Sequence, residues 1–407
     1  MQPLTTQEEE ARRAAQAAGA DPAALCWVRS PLRVCLLGAH VDHQGGTVLG
    51  TAIDRCVLLA FTPTADPEVT LCSHDFPGVV RFPVADPPAD ISPAWGRYAA
   101  GAALALRRRE ALAHGIRGGL AGGFPVGGLS SSAAVGVAYL LALEHANGRR
   151  VSAEENIELD RVIENEYVGL NNGILDQSMI LLSRAGCLTE MDCATGAYTH
   201  LAPGAGMPEF RLAVVHSGVR QALVSTGYNQ RVAECREAAR LLLIAAGRPV
   251  PAVPRLCDVP AEVFAAYPHA LPPELARRAR HFFGEQQRVA AGREAWRQGD
   301  LAALGRLIAA SGESSITCYE CGTPALIDLV QILNQVPGVY GARFSGAGFR
   351  GACFALVAPD AGDAIAAALR REFEPRHPEL VGQWRLDLCA PAGGAAVTTA
   401  EDRQPAP

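Results

Sequence analysis

The chain contains no lysine: all 36 of its basic residues are arginine. That absence excludes a Walker-A phosphate loop, which needs a Gly-Lys-Ser/Thr step. It equally excludes the ordinary protein-kinase site, which needs a strand lysine. A basic excess is also missing, and the net charge of −6 argues against an extended nucleic-acid surface. The run Arg107-Arg108-Arg109 reads as a solvated helix face rather than a binding patch. No apolar run is long enough to cross a bilayer, so no membrane partner is expected. The acidic, polar first ten residues do not read as a secretory signal, and the expected location is the cytoplasm. Twelve cysteines in 407 residues, without the composition of a small disulfide scaffold, fit a reducing compartment. The pair Cys318/Cys321 has neither a second pair nor suitably spaced histidines, so no zinc site is expected.

What is present is a phosphate cradle. Gly127, Gly128, Leu129, Ser130, Ser131, Ser132, Ala133 and Ala134 run consecutively. The glycines let backbone approach an anion closely. The serines add hydroxyls and N–H groups. The alanines open a helix whose N-terminus favours negative charge. Around this loop the pattern alternates strands and helices over a length sufficient for two domains. Strands are expected at Val57–Thr62, Glu68–Cys72, Leu188–Cys193 and Arg211–His216. Helices are expected over residues 7–19 (on the surface), Trp95–Ala113, Ala133–Ala146 and Asn229–Ala246, with another from a capping box at Ser152–Glu155 and one from near Asp176. Ala325–Gln335 is read as a helix, and Pro249–Pro273 as an irregular, proline-rich excursion. The expected domains are 21–202 and 203–389, with a disordered tail over 390–407.

Four segments matter together: Arg33 to Gly46, the serine loop, Gly173-Ile-Leu-Asp-Gln177, and Gly341 to Gly351. In this order they resemble the GHMP kinases and, within them, the galactokinase branch. The resemblance implies an α+β, two-domain fold with the active site in the inter-domain cleft. It implies ATP and Mg²⁺ as cofactors and a small sugar as the other partner. Asp176 then stands as the carboxylate at the anomeric hydroxyl, and Arg33 as its cationic partner. Ala39, His40, Asp42, Gly173 and Tyr228 stand as sugar contacts. Gly127, Gly128, Leu129, Ser130, Ser131, Ser132 and Ala133 stand as nucleotide contacts, with Gly346, Ala347 and Gly348. Ser132 and Glu164 stand as Mg²⁺ ligands.

One departure bears on the substrate. The family's sugar signature reads Gly-Glu-His-Thr-Asp, and here Ala39 replaces the glutamate. That glutamate would accept a hydrogen bond from a sugar 6-hydroxyl. A glutamate about 4 Å from a C6 carboxylate would repel it by about 4 kcal/mol at an effective dielectric near 20. Alanine removes that repulsion. The run Gly38 to Gly46, with His43, is similar to the galacturonokinase subgroup, as is Tyr319-Glu-Cys-Gly322. The implied reaction is 1-phosphorylation of the sugar acid D-galacturonate. The alternatives are a galactokinase or other hexose 1-kinase, and a non-catalytic sugar sensor. Arg220 and Arg231 are candidates to receive the carboxylate. Two further departures are a shorter spacing from Pro125 to Gly128 and Arg350 in place of a glycine.

Overall fold

The computed structural model describes residues 5–88, 90–123, 129–219, 227–348, 351–399 and Asp402. Among them two sheets organise the chain. The first is built on two long strands, β1 (Cys26–Leu37) and β2 (Thr47–Pro63). Eleven of twelve β1 positions are buried, which is what a central strand covered on both faces requires. Next come β3 (Glu68–Ser73), β4 (Val79–Pro83), β5 (Ile116–Ala121), β6 (Leu188–Asp192) and β7 (Tyr198–Leu201). The second sheet contains β8 (Arg211–His216), β9 (Val339–Phe344), β10 (Ala352–Val357) and β11 (Arg385–Cys389). Its order is β11-β8-β10-β9, all antiparallel.

The chain ends by returning to the first sheet. β12 (Pro391–Ala392) pairs with β2, and β13 (Ala396–Thr398) pairs with β1. The first sheet therefore runs β13-β1-β2-β5-β3-β4, with β6 and β12 also on β2. This corrects the expectation of disorder for residues 390–399, while 400, 401 and 403–407 lie outside the described residues. Ala, Gly and Thr are a weak strand signal by themselves, but the open edge of β1 supplies the missing hydrogen-bond partners.

Helix α1 (Thr6–Ala17) lies on β2 and β5 with Ala11 and Ala15 fully buried, so it is not merely a surface helix. Helix α2 is shorter than expected, Arg97–Arg107. Helices α3 (Ser131–Ala146) and α5 (Leu175–Leu182) cover the first sheet, and α4 (Ala153–Val162) packs on them. Helix α6 (Tyr228–Ala245) follows, then α7 (Ala261–Ala266) within the proline-rich stretch. Two long helices come next, α8 (Pro273–Gln298) and α9 (Leu301–Thr317), and then α10 (Pro324–Leu333).

Strand periodicity joins the two halves. Leu212 and Val214 of β8 and Phe354 and Leu356 of β10 belong to the same apolar cluster as β1 and β2, together with Leu304 and Ile308 of α9. The alternate residues Ala213, Val215, Cys353 and Ala355 face the other way, onto Leu326, Leu329 and Val330 of α10. A period of two thus buries both faces of the second sheet, and one face is shared with the first sheet's core.

Candidate active site

Arg33 sits in β1, 2% exposed, with register shifts of the β1–β2 ladder on either side of it. Such irregularities re-aim a side chain. Its Nε donates to Asp176 Oδ1 at 2.7 Å, and its Nη2 lies 2.5 Å from the same oxygen. Asp176 occupies the first turn of α5, where a carboxylate also meets the positive helix end. Its other oxygen, Oδ2, accepts from Ser130 Oγ at 2.5 Å. Arg33 Nη1 is buried and has no hydrogen-bond partner. A buried guanidinium N–H without a partner points to an anion that binds there.

Ser130 precedes α3 with φ 56°, a left-handed conformation that is strained for a residue with a Cβ. The strain places its hydroxyl on Asp176 while Ser131 and Ser132 open α3. The loop is also tied to β1, since the carbonyl of Leu129 accepts from Arg33 N at 3.5 Å.

The connection from β1 to β2 carries the sugar-signature residues, and α8 holds it. The N–H groups of Gly38 and Ala39 donate to Glu285 Oε2 at 2.8 and 3.0 Å. The Ala39 carbonyl lies 2.9 Å from His281 Nε2. His40, also at positive φ (59°), stacks on Tyr319 with ring centroids 4.2 Å apart. Burial, reinforced by His281, drives the His40 pKa well below its ordinary value, so the ring is neutral at pH 7. His43 is pushed down to about 3, again by burial first, and its Nε2 lies 3.1 Å from the Tyr319 hydroxyl. Asp42 is raised to about 6 by burial and then by the charge of Asp176. Gly173 packs directly on it: a Cβ at 173 would lie 2.4 Å from Asp42 Oδ2. Only glycine permits that approach.

Glu164 lies where α4 continues as a wide π turn, Ile163–Val168, a distortion common at functional sites. Its carboxyl is raised to about 7 by burial and by Asp176, with Ser132 and Asn172 as opposing hydrogen-bond partners. Asn172 Nδ2 donates to Oε2, whereas Oε1 is a buried acceptor with no donor in hydrogen-bond geometry. A hard divalent cation fits an orphaned carboxylate oxygen beside a serine hydroxyl. Among the described residues no group of three or more His, Cys, Asp or Glu forms a metal cage, so further ligands would have to come from water and phosphate.

These groups line one cleft of about 840 Å³, open space at its mouth included, which is in the range of small-molecule sites. Arg33, Ala39, His40, Asp42, Ser130, Ser131, Ser132, Glu164, Asp176, Tyr228, Gly346 and Ala347 all face it. Tyr228 opens α6 and meets His43 edge to face. Some expected residues do not face it. Leu129 and Ala133 lie in the apolar core, Gly173 backs Asp42, and Gly348 packs near Cys321 and Phe344. Gly127, Gly128, Arg220 and Arg350, with the Pro125–Gly128 spacing, lie outside the described residues. Arg231 is bound by Glu234 at 2.9 Å and does not face the cleft, so it is not placed to receive a substrate carboxylate. Cys318 and Cys321 are free thiols, and Cys321 Sγ lies 3.5 Å from His40 Nε2. Sequence reading missed Arg343, Asn172 and Cys35, which also line the cleft, and the α8 residues Glu285 and His281. Arg343 carried a signal, because it sits inside the Gly341 to Gly351 segment. Glu285 and His281 carried none, since α8 has no motif.

Comparison with known proteins places this geometry. Residues 97–184 match the GHMP kinases N terminal domain, 293–375 the GHMP kinases C terminal domain, and 15–63 the galactokinase galactose-binding signature. The chain is 50% identical to the galacturonokinase of Arabidopsis thaliana over 90% of this chain and 91% of that one. It is 36% identical to the galactokinase of Chloroflexus aurantiacus, over 84% and 86% of the two chains. The crystal structure of Lactococcus lactis galactokinase complexed with galactose superimposes with a TM-score of 0.83 at 28% identity, covering 91% of this chain and 95% of that one. The protein belongs to the GHMP kinases, in the branch of the galactokinase-like sugar kinases.

Proposed function

We propose that the chain is an ATP-dependent sugar 1-kinase that phosphorylates D-galacturonate, giving ADP and α-D-galacturonate 1-phosphate. The observation that carries the transfer is the Arg33–Asp176 pair. Its unpartnered Nη1 and its doubly anchored carboxylate converge on the cleft beside the start of α3.

Asp176 takes the proton of the anomeric hydroxyl as that oxygen forms its bond to the γ-phosphorus. The bond from the γ-phosphorus to the bridging oxygen breaks, and ADP leaves with the electron pair. The transition state of such a transfer is loose, so positioning and charge neutralisation do most of the work. Arg33 supplies both: it orients Asp176 and offers Nη1 to the phosphoryl oxygens. Backbone N–H groups at the α3 N-terminus cradle the nucleotide phosphates. Ser132 and Glu164 would hold Mg²⁺, which neutralises phosphate charge when bound. Neutral His40, with Asp42 and Tyr228, binds the sugar hydroxyls.

Galacturonate, rather than galactose, is favoured by Ala39. Its backbone is pinned on both sides by α8, so its methyl group is presented to the cleft without freedom to move away. The 50% identity to a galacturonokinase points the same way. The test is ATP-dependent phosphorylation of D-galacturonate, D-glucuronate and D-galactose side by side with Mg²⁺. Wild type is expected to prefer galacturonate in kcat/KM by about a hundredfold, and Ala39→Glu to lower that preference by about a hundredfold or more. A wild-type preference for galactose would refute the substrate assignment and leave the kinase intact. No turnover with any of the three sugars would refute the proposed substrate class.

A further inference from the structure

We infer that Arg343 is the residue that receives the C6 carboxylate of the sugar acid, and thereby sets the enzyme's preference for an acid over a neutral hexose. The inference rests on the reading of galacturonate as substrate. Arg343 projects from β9 into the same cleft that Ala39 lines, and it is 1% exposed. No carboxylate of the described residues lies within ion-pair distance of it. Its Nε is buried without a partner, and its Nη1 makes only a long 3.4 Å contact with the Cys35 carbonyl. An arginine stays charged when buried, and a buried charge without a partner is costly. The missing anion is therefore expected to come from outside the chain.

Among the described residues the other candidate cations are committed. Arg33 serves Asp176, and Arg278 serves Glu234 and Glu320. Glu285, whose charge reaches Arg343, makes its hydrogen bonds to other groups. Its Oε2 takes the N–H groups of Gly38 and Ala39 and the Ser311 hydroxyl, and its Oε1 takes Arg288 Nε. Among the described residues the cleft thus holds one arginine paired with the anomeric-end carboxylate and one, Arg343, with no carboxylate in ion-pair distance. A planar guanidinium suits a carboxylate in two parallel hydrogen bonds. The side chain is also held in advance of binding. Helix α9 crosses β9 so closely that a Cβ at Gly312 would lie 2.9 Å from Arg343 Cβ, which leaves the stem little freedom. A positively charged group fixed beside an alanine is what a C6 carboxylate needs and a 6-hydroxyl does not.

The test compares wild type with Arg343→Gln on D-galacturonate, its uncharged methyl ester and D-galactose. Circular dichroism and thermal melting establish that the variant is folded. Wild type should favour galacturonate over the ester and over galactose. Arg343→Gln should lower both ratios of kcat/KM by about a hundredfold, the scale of losing a pair of charge-assisted hydrogen bonds. Removing the substrate charge and removing the arginine should be strongly non-additive, because both delete one contact. If the variant does not fold, Arg343→Lys reads the same ratios. A point charge in place of the fork should cut them by about tenfold. Ratios unchanged in the folded variant overturn the role of Arg343 while leaving the substrate reading standing. A wild type that does not favour galacturonate overturns both.

Discussion

Asp176 has an occupied partner on each oxygen, Arg33 on Oδ1 and Ser130 on Oδ2, yet it is still 23% exposed to the cleft. A carboxylate has about four lone pairs, so acceptor capacity remains, chiefly on Oδ2, to meet a substrate hydroxyl. Asp176→Asn keeps the shape and removes the charge and the basicity. Turnover is expected to fall by about 10²–10⁴-fold. The same change leaves Arg33 buried without a counter-charge, which should cost about 2–4 kcal/mol of stability while the fold survives. Steady-state kinetics and thermal melting read the two effects separately. A variant with near wild-type turnover would remove Asp176 from the chemistry. The sequence made Asp176 and Arg33 legible because each stands in a short motif. It did not reveal that Arg33 Nη1 is left over or that Arg343 is unpaired. Both are statements about partners missing in space, and spacing along the chain cannot carry them.

At the scale of elements, the sequence was most legible where period and punctuation agree. Strand β8 and helices α3 and α6 lie within a residue or two of their expected bounds. It was least legible where tertiary contact decides. The π turn that aims Glu164 follows an ordinary helical sequence, and α8 carries its two functional contacts with no signature. The C-terminal return is the clearest case. Ala390 O accepts from Asp54 N, and the N–H groups of Gly394 and Ala395 donate to the carbonyls of Ser183 and Ile180 at the end of α5. Val397 and Ala395 pack on the main core. The segment therefore braces both β1 and α5, the two elements that carry Arg33 and Asp176. Truncation after Cys389 should destabilise the protein by about 2–5 kcal/mol, counting several net hydrogen bonds of about 1 kcal/mol each and some lost apolar burial. It should also lower kcat, because α5 loses its C-terminal support. An unchanged melting temperature would mean that these strands decorate the sheet without supporting it.

At the scale of the whole molecule, the site weighs on global stability. Asp42 and Glu164 crowd one cleft with burial and the charge of Asp176 opposing their ionisation, and the ligands that would offset this are a cation, a nucleotide and a sugar. Natural sites commonly sacrifice stability in this way. Asp42 gives the test. Its pKa is raised from the ordinary carboxylate value to about 6, chiefly by burial and then by Asp176. The folded state thus holds this proton more tightly than the unfolded state does. Stability from this group is full below about pH 4, declines as pH rises from about 4 to 6, and is level above. Asp42→Asn cannot ionise, so the ligand-free variant should gain on wild type across that interval. The gain should plateau near 1–2 kcal/mol, the full shift being discounted for the side of the group that meets the cleft. Thermal or urea melts of both proteins between pH 4 and 8, without ligand, isolate this difference from every other titrating group. The same variant should lose sugar phosphorylation, so stability and function would move in opposite directions from one substitution. A stability difference that does not change with pH would show that Asp42 titrates normally and that the cleft is wetter than its packing implies.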